Sequence, residues 1–190
     1  MREKLVSLLP PERYFQNLST MPVVCVDNVA YRVINGERRV LLAKRTQNPA
    51  RGCLYPIGKG LNKNAFGRER ALETIQKETG LIATIQRPFG FYEKMYAMGQ
   101  NDQVTGGLHN PCIAFVTLLE GGDPRVDDTA SAFRWFRRED YGNVPLPPYT
   151  QTLLEDSGVF SANFDPDNIP FHHRELDYTE VDFSKFVFND

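Results

Sequence analysis

The chain has 190 residues, of which 41% are hydrophobic and 24% charged, and this composition is typical of one soluble globular domain rather than a disordered chain. Its net charge of −2 argues against a general nucleic-acid binder with a strongly basic face. The charge is uneven, since residues 156–190 carry −6 and residues 1–155 carry +4. The mildly basic body leaves room for a local phosphate pocket.

The cysteines and the apolar runs indicate a compartment. Cys25, Cys53 and Cys112 are widely spaced and form no CxxC pair, which fits reduced thiols in a cytoplasm. No apolar run approaches the roughly 18 residues of a membrane span, and Pro10 and Pro11 interrupt the N-terminal apolar patch. The sequence predicts a cytoplasmic protein without a membrane or nucleic-acid partner.

Local patterns predict a mixture of strands and helices. Residues 10–19 suit a helix that begins at proline, and Asn35-Gly36 predicts a tight hairpin between strands over 21–34 and 39–45. A Pro- and Gly-rich loop is expected over about 47–64. Helical spacing follows over 67–79, with Gly80 placed to end the helix.

The second half of the chain also mixes predicted strands with a loop and a helix. A glycine-rich loop without periodicity is predicted over 97–108. Strands are predicted over 81–86, 89–96, 111–119 and 132–136, and a last helix over 148–154. Mixed strands with a few helices predict an α/β or α+β fold.

The chain divides into three parts by pattern. We predict an N-terminal helical segment over 1–20, a main domain over 21–155 and an acidic extension over 156–190. Seven aromatic residues in the extension are too many for a purely solvated tail, so we expect it to pack on its own domain or, as the alternative, on a partner subunit.

Residues 41–81 resemble the signature box of the Nudix hydrolases. That pattern is a glycine pair, five residues, Glu, seven residues, then Arg-Glu-apolar-x-Glu-Glu-x-Gly-apolar. Placing Gly80 on the final glycine puts Glu78 on the last glutamate. The remaining conserved positions of the pattern fall here on Lys77, Thr74, Glu73 and Ala65, so the box is degenerate.

The GDP-mannose mannosyl hydrolases and their relatives are similar in this respect, because they keep only the carboxylate equivalent to Glu78. Their run LLxKRTxxPAxG is matched here by residues 41–52, and their first strand by residues 22–27. The similarity reaches His109 and residues 133–136. It implies a Nudix-like α/β/α sandwich with a mixed β-sheet, acting on a nucleotide sugar or another nucleoside diphosphate derivative.

The resemblance also implies a metal and site residues. Glu78 and the carbonyl of Gly58 would hold Mg²⁺, or Mn²⁺ as the alternative, although outside such a box a helical glutamate is more often solvated. Asp27 and Arg45 would serve the departing nucleoside diphosphate. A purely architectural salt bridge between Asp27 and Arg45 is the other interpretation, because a buried Asp in an apolar run needs a partner. His109 aligns with a family histidine near the site, so it would be catalytic and could act on water, or it would be structural.

Departures from the branch affect the general base. Its Gln-His pair falls here on Thr129 and Ala130, neither of which is a strong base. Asp127 or Asp128, one or two residues upstream, would have to substitute, and Asp128 is the candidate.

Lysines stand at two positions of the box. Lys59 replaces the second glycine and Lys77 the first glutamate of the pair. Either could bind phosphate, and Lys77 could instead be an ordinary surface residue.

Two hypotheses about function follow. The first is a Mg²⁺-dependent Nudix hydrolase. The second is a catalytically silent Nudix domain that binds a nucleotide or a partner protein, with Lys59 and Lys77 on the phosphates. A scaffold built on the acidic tail is a weaker third, and the pattern allows a homodimer.

Overall fold

The computed structural model describes residues 10–99, 104, 106–125 and 130–189. Three α-helices accompany nine strands in this part of the chain, together with two short 3₁₀ helices over Arg138–Asp140 and Phe183–Phe186. The helices are α1 (Pro11–Thr20), α2 (Gly67–Thr79) and α3 (Pro148–Ser157). The strands are β1 (Cys25–Ile34), β2 (Glu37–Arg45), β3 (Leu54–Tyr55), β4 (Ile57–Gly60), β5 (Ala83–Tyr96), β6 (Leu108–His109), β7 (Cys112–Leu119), β8 (Ala130–Phe136) and β9 (His172–Asp177).

The strands form one mixed sheet. Its main order is β3-β2-β1-β7-β5-β6, while β4, β8 and β9 pair with β1, β2 and β5. The pairs β1–β7 and β5–β9 are parallel and the other pairs antiparallel. Side chains from α1 and α3 pack into one large core cluster, and Ile75 of α2 packs into another. The predicted α+β sandwich with a mixed sheet is confirmed.

Local signals fixed several elements. Asn35 and Gly36 both have positive φ, 53° and 79°, as a two-residue hairpin turn of the right twist requires. Gly80 ends α2 in the left-handed region, with φ of 72°. Helix α2 buries a stripe at the spacing of an amphipathic helix, formed by Ala71, Thr74, Ile75 and Glu78.

Two predictions of local structure were wrong. The stretch expected as a loop over 47–64 contains β3 and β4. The two strands expected over 81–86 and 89–96 are one strand, β5, whose pairing with β7 shifts register between Ile85 and Arg87 and between Pro88 and Gly90. Such bulges let a strand continue through a proline.

The C-terminal residues pack on the rest of the chain. Strand β9 pairs with β5 in register from Gly90↔His172 to Met95↔Asp177. Further aromatic side chains of this segment pack against the large core cluster: Phe160, Phe164, Phe183, Phe186 and Phe188. The segment from 156 onward therefore contributes both sheet and core, while its boundary as a separate unit stays a prediction.

Candidate functional site

A cavity of about 190 Å³ opens where β1, β2 and β4 meet the end of α2. Among the described residues that line it, the charged ones are three cations and two carboxylates. They are Arg45, Lys59, Lys94, Asp27 and Glu78. The cavity thus has one more positive than negative side chain, which suits an anionic ligand.

An ion pair is buried at one wall of this cavity. Lys94 Nζ lies 2.9 Å from Asp27 Oδ2, and the two residues are only 4% and 5% exposed. The Tyr149 hydroxyl and the Cys112 thiol also donate to this oxygen, at 2.6 and 3.0 Å. The carboxylate therefore has three donors, as a buried charge requires.

The protonation of the pair follows from these contacts. Burial alone would raise the pKa of Asp27, but the Lys94 ammonium and the hydrogen bonds from Cys112 and Tyr149 hold it below its ordinary value. Burial alone would lower the pKa of Lys94, but Asp27 leads the neighbours that keep it well above its ordinary value. Both groups are charged at neutral pH, and neither is poised to exchange a proton there.

The predicted pairing of Asp27 with Arg45 was wrong. The Arg45 guanidinium lies 4.7 Å above the centre of the Tyr55 ring and donates to the carbonyls of Gln47 and Asn48, both at 3.3 Å. At Asp27 the neighbouring strand is β4 rather than β2, because Asp27 stands opposite Gly58. Arg45 still lines the cavity.

Position 58 has room for no residue larger than glycine. A β-carbon there would lie 1.8 Å from Asp27 Oδ1 and 2.5 Å from the carbonyl oxygen of Val26. Only glycine allows β4 to approach the Asp27 side chain this closely. Its carbonyl as a metal ligand remains a prediction.

Glu78 and Lys59 form the second charged pair of the cavity. Helix periodicity puts Glu78 on the buried face of α2, where it is 5% exposed. Lys59 extends from β4, and its Nζ lies 3.5 Å from Glu78 Oε1. The Lys59 side chain is 43% exposed, so it reaches both solvent and the carboxylate.

Glu78 and Gly58 are the cavity residues that would hold a metal ion. Glu78 and Gly58 line one cavity, and the Lys59 ammonium beside the Glu78 carboxylate would have to give way to an ion bound there. Mg²⁺ usually keeps several waters and takes one or two carboxylates when phosphates supply the rest. Within the described residues, one group of three His, Asp, Glu or Cys side chains is close enough to hold a metal ion, and that group lies outside the cavity.

Two predicted site residues, Lys77 and His109, lie outside the cavity, and a third was not described. Lys77 is 65% exposed and pairs with Glu73 at 2.6 Å, because it lies off the buried stripe of α2. His109 points to the opposite face of β6 from Leu108, and its Nε2 lies 3.7 Å from Glu93 Oε2. Asp128 lies outside the described residues. No histidine lines the cavity among the residues that the structure describes.

Sequence reasoning missed the apolar and aromatic walls. Tyr14 and Leu18 of α1 line the cavity, as does Cys25, and burial raises the pKa of the Cys25 thiol to about 11. The Tyr55 and Tyr96 hydroxyls are hydrogen-bonded at 2.6 Å. Lys94 was also missed, since only its period-two burial within β5 marks it.

In the described part of the chain, no helix has the length and apolar character to cross a membrane.

Comparisons with known proteins give relatives of low identity. No protein-family model matches the chain. The ADP-ribose pyrophosphatase of Methanocaldococcus jannaschii is 29% identical over 124 residues, and the match covers 65% of each protein. The low-salt glycan biosynthesis protein Agl8 of Haloferax volcanii is 26% identical over 153 residues, 80% of this chain and 93% of that protein.

Solved structures share the fold. A Nudix hydrolase from Nitrosomonas europaea gives a TM-score of 0.62 at 16% identity, covering 82% of this chain and 79% of its own. A MutT Nudix hydrolase from Burkholderia pseudomallei gives 0.55 at 26% identity, covering 71% and 97%. The Nudix domain of Shewanella oneidensis NrtR, solved with ADP-ribose, gives 0.54 at 14% identity, covering 77% and 96%.

The chain therefore has the Nudix fold. The structures from Nitrosomonas, Burkholderia and Shewanella share this fold with the chain.

Proposed function

We propose that the protein is a Nudix-type hydrolase acting on a nucleoside diphosphate derivative, either ADP-ribose or a nucleotide sugar. The observation that carries the proposal is the cavity in which Arg45, Lys59, Gly58 and Glu78 meet with an excess of positive charge. A relative named ADP-ribose pyrophosphatase and another named for glycan biosynthesis support these two substrate classes.

The cations have distinct parts in binding. The planar guanidinium of Arg45 can pair bidentately with a phosphate and stays charged, while Lys59 acts as a point charge. Because Lys94 is fully engaged with Asp27, we assign this pair to holding the cavity wall in place. Asp27 as a direct contact to the leaving group is the alternative role.

Glu78 and the Gly58 carbonyl would hold Mg²⁺, or Mn²⁺. When bound, such an ion neutralises phosphate oxygens and so favours substitution at the diphosphate. Phosphate oxygens and water would complete its ligands, and the Lys59 ammonium would turn from Glu78 toward a phosphate. The general base is proposed to be Asp128, one residue before the position where the mannosyl hydrolase branch has its Gln-His pair.

A second candidate is a silent domain that binds the same ligand without cleaving it. The contact of Lys59 Nζ with Glu78 Oε1 at 3.5 Å favours it, because an ammonium beside the carboxylate opposes metal binding. Here Lys59 would provide the positive charge that a metal ion provides in an active enzyme.

Turnover separates the two candidates. Purified protein is incubated with ADP-ribose and with GDP-mannose, in Mg²⁺ and in EDTA, and product is measured by chromatography. We expect cleavage of one substrate in Mg²⁺, a loss in EDTA, and a loss of at least about tenfold in Glu78→Gln. Glu69→Gln, on the exposed side of the same helix, should retain activity.

Two other outcomes of this experiment would contradict the candidates. Binding of the ligands without turnover under any condition would refute the hydrolase and support the silent domain. Absence of both binding and turnover would refute both candidates.

A further inference from the structure

A second cluster of ligating side chains lies on the exposed face of the sheet, away from the cavity. It consists of Glu93 on β5 and His173 and Glu175 on β9, and we refer to it as the outer-face cluster. Side chains alternate along a strand, so Glu93 points away from its neighbour Lys94, which lines the cavity. The two sites are therefore on opposite faces of β5.

The backbone fixes the spacing of the cluster. In the parallel pairing of β5 with β9, Glu93 stands directly opposite Glu175, and His173 stands opposite Phe91. One ligand atom from each of the three side chains lies within 4.8 Å of the other two. The His173 Nε2 is 3.3 Å from Glu93 Oε1.

A fourth ligand approaches from the next strand. His109 on β6 brings its Nε2 to 3.7 Å from the other carboxylate oxygen of Glu93. Glu93 thus lies between two imidazoles, one on each neighbouring strand. All of these side chains are partly exposed, His109 and Glu93 by 38% and 37% and His173 by 58%, so an ion from solvent can reach them.

Among the described residues, no lysine or arginine forms an ion pair with the two carboxylates of the outer-face cluster. Like charges directly opposite each other in neighbouring strands are destabilising, yet Glu93 and Glu175 face each other. The adjacent basic residues are engaged on the other face, Lys94 with Asp27 and Arg174 with Asp156. Among the described residues, the ion-pair partners of Glu93 are His109 and His173, and no ion pair includes Glu175. A divalent cation would compensate both carboxylates while the imidazoles stay neutral.

We propose that Glu93, His173 and Glu175 bind a divalent transition-metal ion of the zinc class, with His109 as the fourth ligand. Imidazole nitrogen with carboxylate oxygen suits Zn²⁺, whereas Mg²⁺ prefers oxygen ligands alone. Ligands at about 2.0–2.2 Å from a tetrahedral ion stand roughly 3.4 Å apart.

The bound ion would fasten the C-terminal strand to the body. Two ligands come from β9, and the others come from β5 and β6. An ion that binds the folded state stabilises it in proportion to its occupancy. The site is separate from the proposed hydrolase site, so it stands or fails independently of the proposed function.

Zinc titration of the full chain tests the site. Metal-stripped protein without an affinity tag is titrated with ZnCl₂ by calorimetry, alongside His173→Ala, Glu175→Gln and His109→Ala. His172→Ala is the matched control, because the neighbouring histidine points to the other side and lies 3.7 Å from Asp156.

We expect one zinc ion per chain at micromolar affinity or better. Affinity should fall at least about tenfold in His173→Ala and Glu175→Gln, fall less in His109→Ala, and remain in His172→Ala. Saturating zinc should raise the melting temperature of the wild type and of His172→Ala by roughly 5–10 °C, and that of His173→Ala by much less.

Two results would overturn the proposal. One is the absence of zinc binding to the wild type. The other is zinc binding that survives unchanged in both His173→Ala and Glu175→Gln, since the ion would then be held elsewhere. An unchanged affinity in His109→Ala would remove that residue from the ligand set.

Discussion

Replacing Lys94 with methionine would leave the Asp27 carboxylate buried without its cation. The Nζ–Oδ2 contact of 2.9 Å would be lost, while the methionine side chain fills most of the same volume. Removing one partner of a buried ion pair costs about 3–5 kcal/mol. Because Tyr149 and Cys112 still donate to the carboxylate, we expect the lower end, about 3 kcal/mol.

Urea unfolding near neutral pH measures this loss in the free energy of unfolding. In thermal unfolding, the melting temperature should fall by roughly 6–12 °C. Lys77→Met is the matched control. It removes an exposed pair with Glu73 within one helix, which is worth at most about 0.5 kcal/mol. A Lys94→Met cost no greater than that of the control would refute the structural role of the pair.

The pH dependence gives the same prediction a second readout. Asp27 has a lowered pKa, so its stabilisation is present above the unfolded pKa and is lost as the pH falls through the folded value. Lys94 has a raised pKa, so its stabilisation is present below the unfolded pKa and is lost as the pH rises through the folded value. In Lys94→Met the carboxylate loses its cation, so the deficit against wild type should shrink toward acid pH. A deficit independent of pH would contradict this.

Three further predictions concern the cavity walls. Tyr149→Phe removes the 2.6 Å hydrogen bond to Asp27 and should cost about 1.5–3 kcal/mol in urea unfolding; a neutral effect would contradict it. Gly58→Ala places a β-carbon 1.8 Å from Asp27 Oδ1 and should destabilise by about 1–3 kcal/mol or more, so a variant of wild-type stability would be inconsistent with the close approach of β4. Cys25, with a thiol pKa of about 11, should react with iodoacetamide at least about a hundredfold more slowly than a free cysteine near neutral pH, and fast alkylation followed by mass spectrometry would argue against the raised pKa.

The sequence pattern predicted correctly those elements that depend on a few neighbouring residues. The Asn35-Gly36 turn and the Gly80 helix end each follow from a backbone conformation that few residues adopt. The period of α2 also carried information about the site, because Glu78 is three residues beyond Ile75 and falls on the same buried stripe. That period separates Glu78 from Lys77, the exposed neighbour.

The pairing of charges could not be predicted in this way. Asp27, Lys94, Cys112 and Tyr149 are far apart in the sequence and meet only through the sheet and α3. The hairpin between β1 and β2 predicts that Asp27 meets Arg45, but β4 pairs with that part of β1. Since β4 is four residues long and lies in a segment rich in Gly and Pro, no periodic signal marks it.

Binding of ADP-ribose tests the central claim most directly. Calorimetric titration of the wild type and of Arg45→Gln and Lys59→Gln, in Mg²⁺ and in EDTA, measures the affinity without requiring turnover. We predict saturable binding to the wild type that weakens by at least about tenfold in each variant, because each removes a cation from the cavity. Equal affinity in all three proteins, or no binding of ADP-ribose and, in a parallel titration, none of GDP-mannose to the wild type, would contradict the assignment of the cavity to a nucleoside diphosphate derivative.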